Sequence, residues 1–297
     1  MQLPADAPAE IIDPFVVLNH PDLPQVPMPR ESLRDDDSLS AWPASDIVGH
    51  LFKKDDATRE RYKRSESIDG IIAELDANNM GRAGIPLAPE TPLEVFDRIA
   101  DLDGRIFVSL RANPHDGMRA VRRISELAAR YPFIKAVSLT PFQIYPFIAP
   151  NSKEYYPIYA KCVELGIAAF VNAGVPGPRL KMDPQKVEYI DDVMYDFPEL
   201  VFVTRHGCEP WEDLAVKLML KWPGLHYCTS AFAPKHYPKA IIDYANTRGA
   251  DKIIYAGYFP MGLTLERIMG DMQHVPFRDH VWPKFLRENA ERVLKLT

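Results

Sequence analysis

Cysteine is scarce. The chain has 297 residues and three cysteines, Cys162, Cys208 and Cys228, far apart in sequence. So few, so widely spaced, argue against a disulfide framework or a zinc knuckle and suit a reducing, cytoplasmic setting. Long apolar runs are missing as well: no stretch approaches the roughly 18 residues that a membrane span needs. The first residues, Met1 to Pro14, carry acids and lack the charged-then-apolar order of a signal peptide. Excess positive charge is absent, with a net charge of −6, so nucleic acid is not an expected partner. The one basic cluster, Lys53, Lys54, Arg59, Arg61, Lys63 and Arg64, is interleaved with Asp55, Asp56 and Glu60 and reads as a solvated face. No glycine-rich phosphate turn follows the first strand, which argues against an open dinucleotide-binding sheet.

What is present is an alternation. Hydrophobic residues make up 46% and charged residues 26%, enough to bury one large core. Short runs rich in Val, Ile and Phe predict eight strands, covered on both faces: Glu10–Asp13, Met80–Leu87, Arg105–Leu110, Ile134–Leu139, Ile167–Asn172, Leu200–Thr204, Leu225–Thr229 and Lys252–Ala256. Helix-spaced apolar residues lie between them, over Ser67–Asn78, Asp116–Arg130, Tyr155–Leu165, Lys186–Asp196, Trp211–Lys221, Tyr237–Arg248, Leu263–Asp271 and Val281–Leu296. Ser67 or Asp69 is positioned to cap the first, and Gly166 to stop the third. Eight such units predict an α/β fold: a single (β/α)8 TIM barrel over residues 1–297. Residues 14–66, rich in Pro, Asp and Ser, interrupt the pattern after the first strand. In a barrel they fall over the mouth, as a lid or an oligomer contact.

Barrels place their chemistry at the C-terminal ends of the strands. Those ends read Arg111, Thr140, Asn172, Arg205, His206, Thr229, Ser230 and Tyr258. A histidine suits proton transfer near neutrality, and arginines suit a carboxylate. Elsewhere, Cys208 lies two residues from His206 without the rest of a nucleophilic site. His20, Asp22 and His50 in the insertion have no standard metal spacing, Trp211 is expected to pack under the His206 loop, and His274 and His280 are expected to be structural or exposed.

From about residue 130 onward the stretches Tyr156–Ile167, Phe197–Val203, Arg205-His206-Gly207-Cys208-Glu209-Pro210-Trp211, Asp251–Tyr255 and Phe285–Leu294 occur in an order that resembles the amidohydrolase-related decarboxylases, the family of the aminocarboxymuconate-semialdehyde and resorcylate decarboxylases. The resemblance implies a metal site whose first strand ends Asp-x-His-x-His. Here the matching residues are Asp13-Pro14-Phe15-Val16-Val17. The third histidine position matches Asn172, and the aspartate of the eighth strand matches Tyr258. A catalytic zinc needs about three His, Asp, Glu or Cys ligands, and these four residues do not offer them. The expectation is therefore no metal ligands, and no cofactor, zinc or another divalent metal included. His206 matches the family's acid/base histidine.

The resemblance implies a hydrolase or decarboxylase acting, without the usual metal, on a small carboxylated or cyclic compound. His206 and Tyr258 would be catalytic, and Arg111, Asn172, Arg205 and Phe15 would bind substrate. A catalytically silent barrel, serving as partner subunit or ligand-binding protein, is the alternative. The partners expected are a small molecule and a second barrel, as a homodimer or with a related subunit, and neither nucleic acid nor membrane.

Overall fold

A computed structural model describes residues 8, 10–20, 22–24, 33–35, 56, 60, 65–261 and 263–296. Within these, eight parallel strands follow one another around a barrel in sequence order. They are β1 (Ile11–Asp13), β2 (Met80–Leu87), β3 (Ile106–Arg111), β4 (Ile134–Leu139), β5 (Ala168–Asn172), β6 (Phe202–Arg205), β7 (Leu225–Cys228) and β8 (Ile253–Ile254). The expected fold is observed. No helix among the described residues is long and apolar enough to cross a membrane.

The side chains divide as a two-residue period requires. Ile12, Phe107, Ala136, Ala168, Phe170, Val203, Cys228 and Ile254 form one apolar cluster with Val293, Leu294 and Leu296 of the C-terminal segment. The alternate positions, such as Val108, Val137, Ala169 and Phe202, pack in a second, larger cluster with the helices. The inward rows Phe107–Ser109–Arg111, Ala168–Phe170–Asn172 and Val203–Arg205 thus begin apolar and end polar at the C-terminal mouth.

The helices are α1 (Ile68–Ala77), α2 (Leu93–Ala100), α3 (Met118–Arg130), α4 (Tyr156–Leu165), α5 (Tyr189–Asp196), α6 (Glu212–Lys221), α7 (Lys239–Ala245), α8 (Leu265–Met272) and α9 (Asn289–Leu294). Ser67, not Asp69, caps α1: its side chain accepts the Gly70 N–H. Gly166 ends α4 at φ 64°, ψ 31°, the left-handed conformation that glycine adopts without a Cβ clash.

Three local expectations change. α2 was not predicted, yet its Phe96 and Ile99 are buried. The last helix, expected over Val281–Leu296, is split into a π turn at Lys284–Glu288 and α9. β8 is two residues long rather than five.

That short strand matters for closure. No ladder joins β8 to β1 among the described residues. The seam is spanned instead by Val17 N–H donating to the Phe259 carbonyl, 2.8 Å, and by Gly257 N–H donating to Asp13 Oδ2, 3.0 Å. Most of the 14–66 insertion, His50 included, lies outside the described residues. Its two ends meet where the Asn19 amide nitrogen donates to Ser65 Oγ, 3.0 Å.

Candidate active site

The mouth holds a cavity of about 500 Å³. Phe15, Arg111, Asn172, Arg205, His206 and Tyr258, carried by the ends of five strands or the loops after them, all line it, together with Thr140. Thr229 and Ser230 are buried beneath it; Thr229 Oγ1 accepts the Ala256 N–H, 3.3 Å.

Phe15 is the hub. Its ring stacks on Tyr258 at 5.1 Å and 15° and meets His206 edge-on at 5.6 Å. The Arg205 guanidinium carbon lies 4.2 Å from the Phe15 ring centroid, a cation–π contact strengthened by the loss of water. Backbone strain gathers at the same rim. His206, Ala231 and Tyr258 have φ of 65°, 76° and 59°, which costs about 1–3 kcal/mol per residue and persists where the surroundings enforce it.

The electrostatics are one-sided. Arg205 is 2% exposed, and its Nε and Nη1 have no hydrogen-bond partner; Nη2 donates to Thr140 Oγ1 at 3.3 Å. Burial pushes both Arg205 and Arg111 down to about 10, so both stay charged at neutral pH. Neither forms an ion pair with a carboxylate of the described residues. Each orphaned buried N–H costs about 1–3 kcal/mol, so the cavity is built at a cost and favours an anion. The Asn172 and Gln185 side-chain oxygens are also buried without partners.

His206 departs from the expectation of a near-neutral titration. Burial, then the Arg205 charge, push it down to about 3. It is a neutral imidazole at pH 7, able to accept a proton but not to donate one as an imidazolium. Cys208 is fully buried, and burial pushes its thiol up to about 12, which removes it as a nucleophile. Trp211 packs partly buried against the main core. Asp22, His274 and His280 are exposed, and His20 lines the cavity.

Sequence reasoning missed Asp13, Gln185 and Glu209. Gln185 lines the cavity from the 3-10 turn Asp183–Gln185, and Glu209 from the His206 loop, four residues past the end of β6. Asp13 is fully buried. Its Oδ1 accepts the Phe15 N–H at 3.0 Å and its Oδ2 the Gly257 N–H, so one carboxylate positions both Phe15 and the segment leading to Tyr258.

The amidohydrolase family model matches residues 74–296, beginning well before the resemblance read at residue 130. No curated protein matches the chain in sequence. Solved structures do match in fold. An uncharacterised TIM-barrel protein of Bordetella bronchiseptica is 20% identical, over 97% of this chain and 99% of its own, with a TM-score of 0.74. The 5-carboxyvanillate decarboxylase of Novosphingobium aromaticivorans, complexed with manganese and 4-hydroxy-3-methoxy-5-nitrobenzoic acid, is 15% identical over 96% of both chains, TM-score 0.68. A probable 2-pyrone-4,6-dicarboxylic acid hydrolase of Acinetobacter baumannii with citric acid bound is 12% identical, over 96% of this chain and 99% of its own, TM-score 0.63.

The expectation that a divalent metal has no place as cofactor is corrected by these structures: a barrel of this fold carries manganese. The strand ends of this chain do not fit such an ion. Phe15 and Val17 have no lone pair to give, both Asp13 oxygens accept backbone N–H groups, and the Arg205 cation stands against Phe15. Among the described residues no three His, Cys, Asp or Glu side chains converge. From its eight-stranded barrel and the family match over residues 74–296, the chain belongs to the amidohydrolase family.

Proposed function

We propose that this chain is an enzyme, a hydrolase or carboxy-lyase, acting on a small carboxylated or cyclic compound in the barrel mouth. One observation carries the reading. Two guanidiniums without a carboxylate partner among the described residues share a cavity of about 500 Å³ with a neutral histidine. A cavity of that size holds one small molecule, and its charge selects an anion.

Arg111 faces the cavity half-buried and takes the substrate carboxylate through paired N–H donors. Arg205, sealed behind Phe15, supplies a second positive charge through a medium of low polarity. Tyr258, Asn172 and Phe15 shape the pocket, with the Tyr258 side chain on the side where an oxyanion would develop. His206 is the proton carrier. Its neutral form can accept a proton, and it becomes an effective base as a bound anion raises it from about 3 toward the working pH. A bound carboxylate offsets the Arg205 charge, the second cause after burial of the lowered imidazole, so His206 gains part of its proton affinity back when substrate binds. That gain is what a decarboxylation, which must return a proton to carbon, requires.

The test is a panel of small aromatic and aliphatic carboxylates and lactones, scored for turnover and for thermal stabilisation of the protein. His206→Ala is expected to lower kcat by about 10²–10⁴-fold while carboxylates still bind. Arg111→Met is expected to abolish carboxylate stabilisation. Unchanged turnover in His206→Ala sinks the assignment. Carboxylate binding without turnover anywhere in the panel favours the silent, ligand-binding barrel.

A further inference from the structure

A buried polar group without a partner is the exception in a folded chain, and each one calls for a reason. Among the described residues ten buried side-chain atoms are in that state. Five of the ten belong to residues that line the mouth cavity: Thr91 Oγ1, Asn172 Oδ1, Gln185 Oε1, and Arg205 Nε and Nη1. Each costs about 1–3 kcal/mol while it stays unpaired. A cost gathered at one cavity points to a ligand that relieves it. The two Arg205 nitrogens only donate, so a carboxylate answers them. A carboxylate cannot answer an amide carbonyl oxygen, because both only accept.

Thr91 can donate or accept, and a half-turn of the Asn172 amide exchanges its ends. Gln185 has no such freedom. Its Nε2 donates to the Gly174 carbonyl at 3.0 Å, and a half-turn would set oxygen against oxygen. The main chain ties the same two residues: Gly174 N–H donates to the Gln185 carbonyl at 2.8 Å. Gly174 is itself pressed against the His206 loop, with φ of 96° and a Cβ position only 2.9 Å from the Glu209 nitrogen. The Gln185 side chain, in a residue 2% exposed, is therefore held in one orientation. Its Oε1 is a fixed acceptor in the cavity wall.

We propose that Gln185 is a specificity-determining residue, whose Oε1 accepts a hydrogen bond from a hydroxyl or N–H group of the ligand. The inference rests on the carboxylate binding proposed above and narrows it: the site selects carboxylates that also carry a donor. The selection works through the analogue it rejects. With hydrogen in place of the hydroxyl, Oε1 stays buried and unpaired, and a methoxy group has no proton to give it. A site that hydrogen-bonds a ligand hydroxyl discriminates against such analogues more strongly than an apolar wall does.

The experiment is titration calorimetry of the full-length protein with ortho-, meta- and para-hydroxybenzoate, each compared with its methoxy ether and with benzoate. The wild type is expected to bind one hydroxy isomer at least about tenfold tighter than both of its analogues. Gln185→Met removes the acceptor at similar volume. It is expected to bring that isomer down to the affinity of benzoate while the affinity for benzoate itself changes little. Gln185→Asn, which draws the amide back by one methylene, is expected to lose the same preference and is read in its place if Gln185→Met fails to fold. A wild type that binds benzoates without preferring any hydroxyl overturns the proposal with no variant needed. A preference that survives in the variant overturns it too, because another group then reads the hydroxyl. Failure of every benzoate to bind overturns the carboxylate reading along with it, whereas binding without preference overturns the role of Gln185 alone.

Discussion

At the scale of single residues, the site is governed by burial acting on charge. Asp13 shows it most sharply. Two backbone N–H groups and the Tyr255 hydroxyl favour its ionised form, but burial outweighs them and raises its carboxyl to about 7. The sign of the consequence follows from linkage. A carboxyl whose folded-state value lies above its unfolded value of 3.8 binds protons more tightly when folded. Its stabilising contribution is whole below about pH 4 and is lost as pH rises toward 7. Asp13→Asn keeps the acceptor for Phe15 N–H and removes the titration. Denaturation of both proteins across pH 4 to 8 is expected to show the wild type losing, relative to Asp13→Asn, on the order of a few kcal/mol over that window. A constant difference across the window would refute it. Arg205 acts in the same way on His206. With Arg205→Met, the histidine is expected to titrate above its value of about 3, read by proton NMR; burial is the larger cause and remains, so the rise is partial. The strand-end residues were legible in the sequence because the period of two and the barrel rule locate them. Their protonation states were not, because these depend on which other strand ends lie beside them. The role of Asp13 was hidden for the same reason: Gly257 is 244 residues away in sequence.

At the scale of elements, the sequence was most readable where a strand or helix is long and periodic, as in β2 to β6 and in α3, with Val121, Ile124 and Leu127 on its buried side. It was least readable where tertiary contact decides. α2 has eight residues and begins after Pro92 with no side-chain cap, so little in its own sequence announces it. Packing holds it. Phe96 is fully buried and stacks on Tyr131 at 5.2 Å, while the Tyr131 hydroxyl donates to Asp97 Oδ1 at 2.7 Å. Phe96→Ala is therefore expected to destabilise the protein by about 3–5 kcal/mol. Asp97→Ala, which removes one hydrogen bond to a half-exposed carboxylate, is expected to cost about 1 kcal/mol. Urea denaturation of the two variants distinguishes packing from hydrogen bonding as what holds α2 in place; equal losses would contradict this ranking. The broken C-terminal helix follows a similar logic. Asn289 donates to the Ala250 and Ile253 carbonyls at 2.7 and 2.8 Å, and those contacts fix α9 across the base of β8 whatever the local helical pattern.

For the whole molecule, the point of interest is that the barrel closes weakest where its site is densest. β2 through β6 are joined by parallel ladders of four or five residue pairs, with one register shift at Val108/Ser109, whereas β7 pairs with β8 through two residues of each and β8 has no ladder to β1 among the described residues. The seam relies on Asp13, Val17, Gly257 and Phe259, and the same short segments carry Phe15 and Tyr258. Opening such a seam breaks few hydrogen bonds, so it costs less than opening the opposite wall. Native-state hydrogen exchange is expected to show the Val17 and Gly257 amides exchanging faster than those of Val108 and Ala169, whose N–H groups lie in that wall and donate to Phe133 and Val201. If a carboxylate binds as proposed, it reaches Arg111 on β3 and the ring pair on the β1 and β8 loops at once, which would tie the seam to the wall. Ligand is thus expected to slow exchange at Val17 and Gly257 more than at Val108. Gly257→Ala probes the same junction from within, since a Cβ there would stand 2.6 Å from the Tyr255 hydroxyl and 2.9 Å from Asp13 Oδ2, too close for either atom. That variant is expected to speed exchange at Val17 and weaken carboxylate binding together, and a loss of binding with Val17 protection unchanged would show that the seam and the site are not coupled.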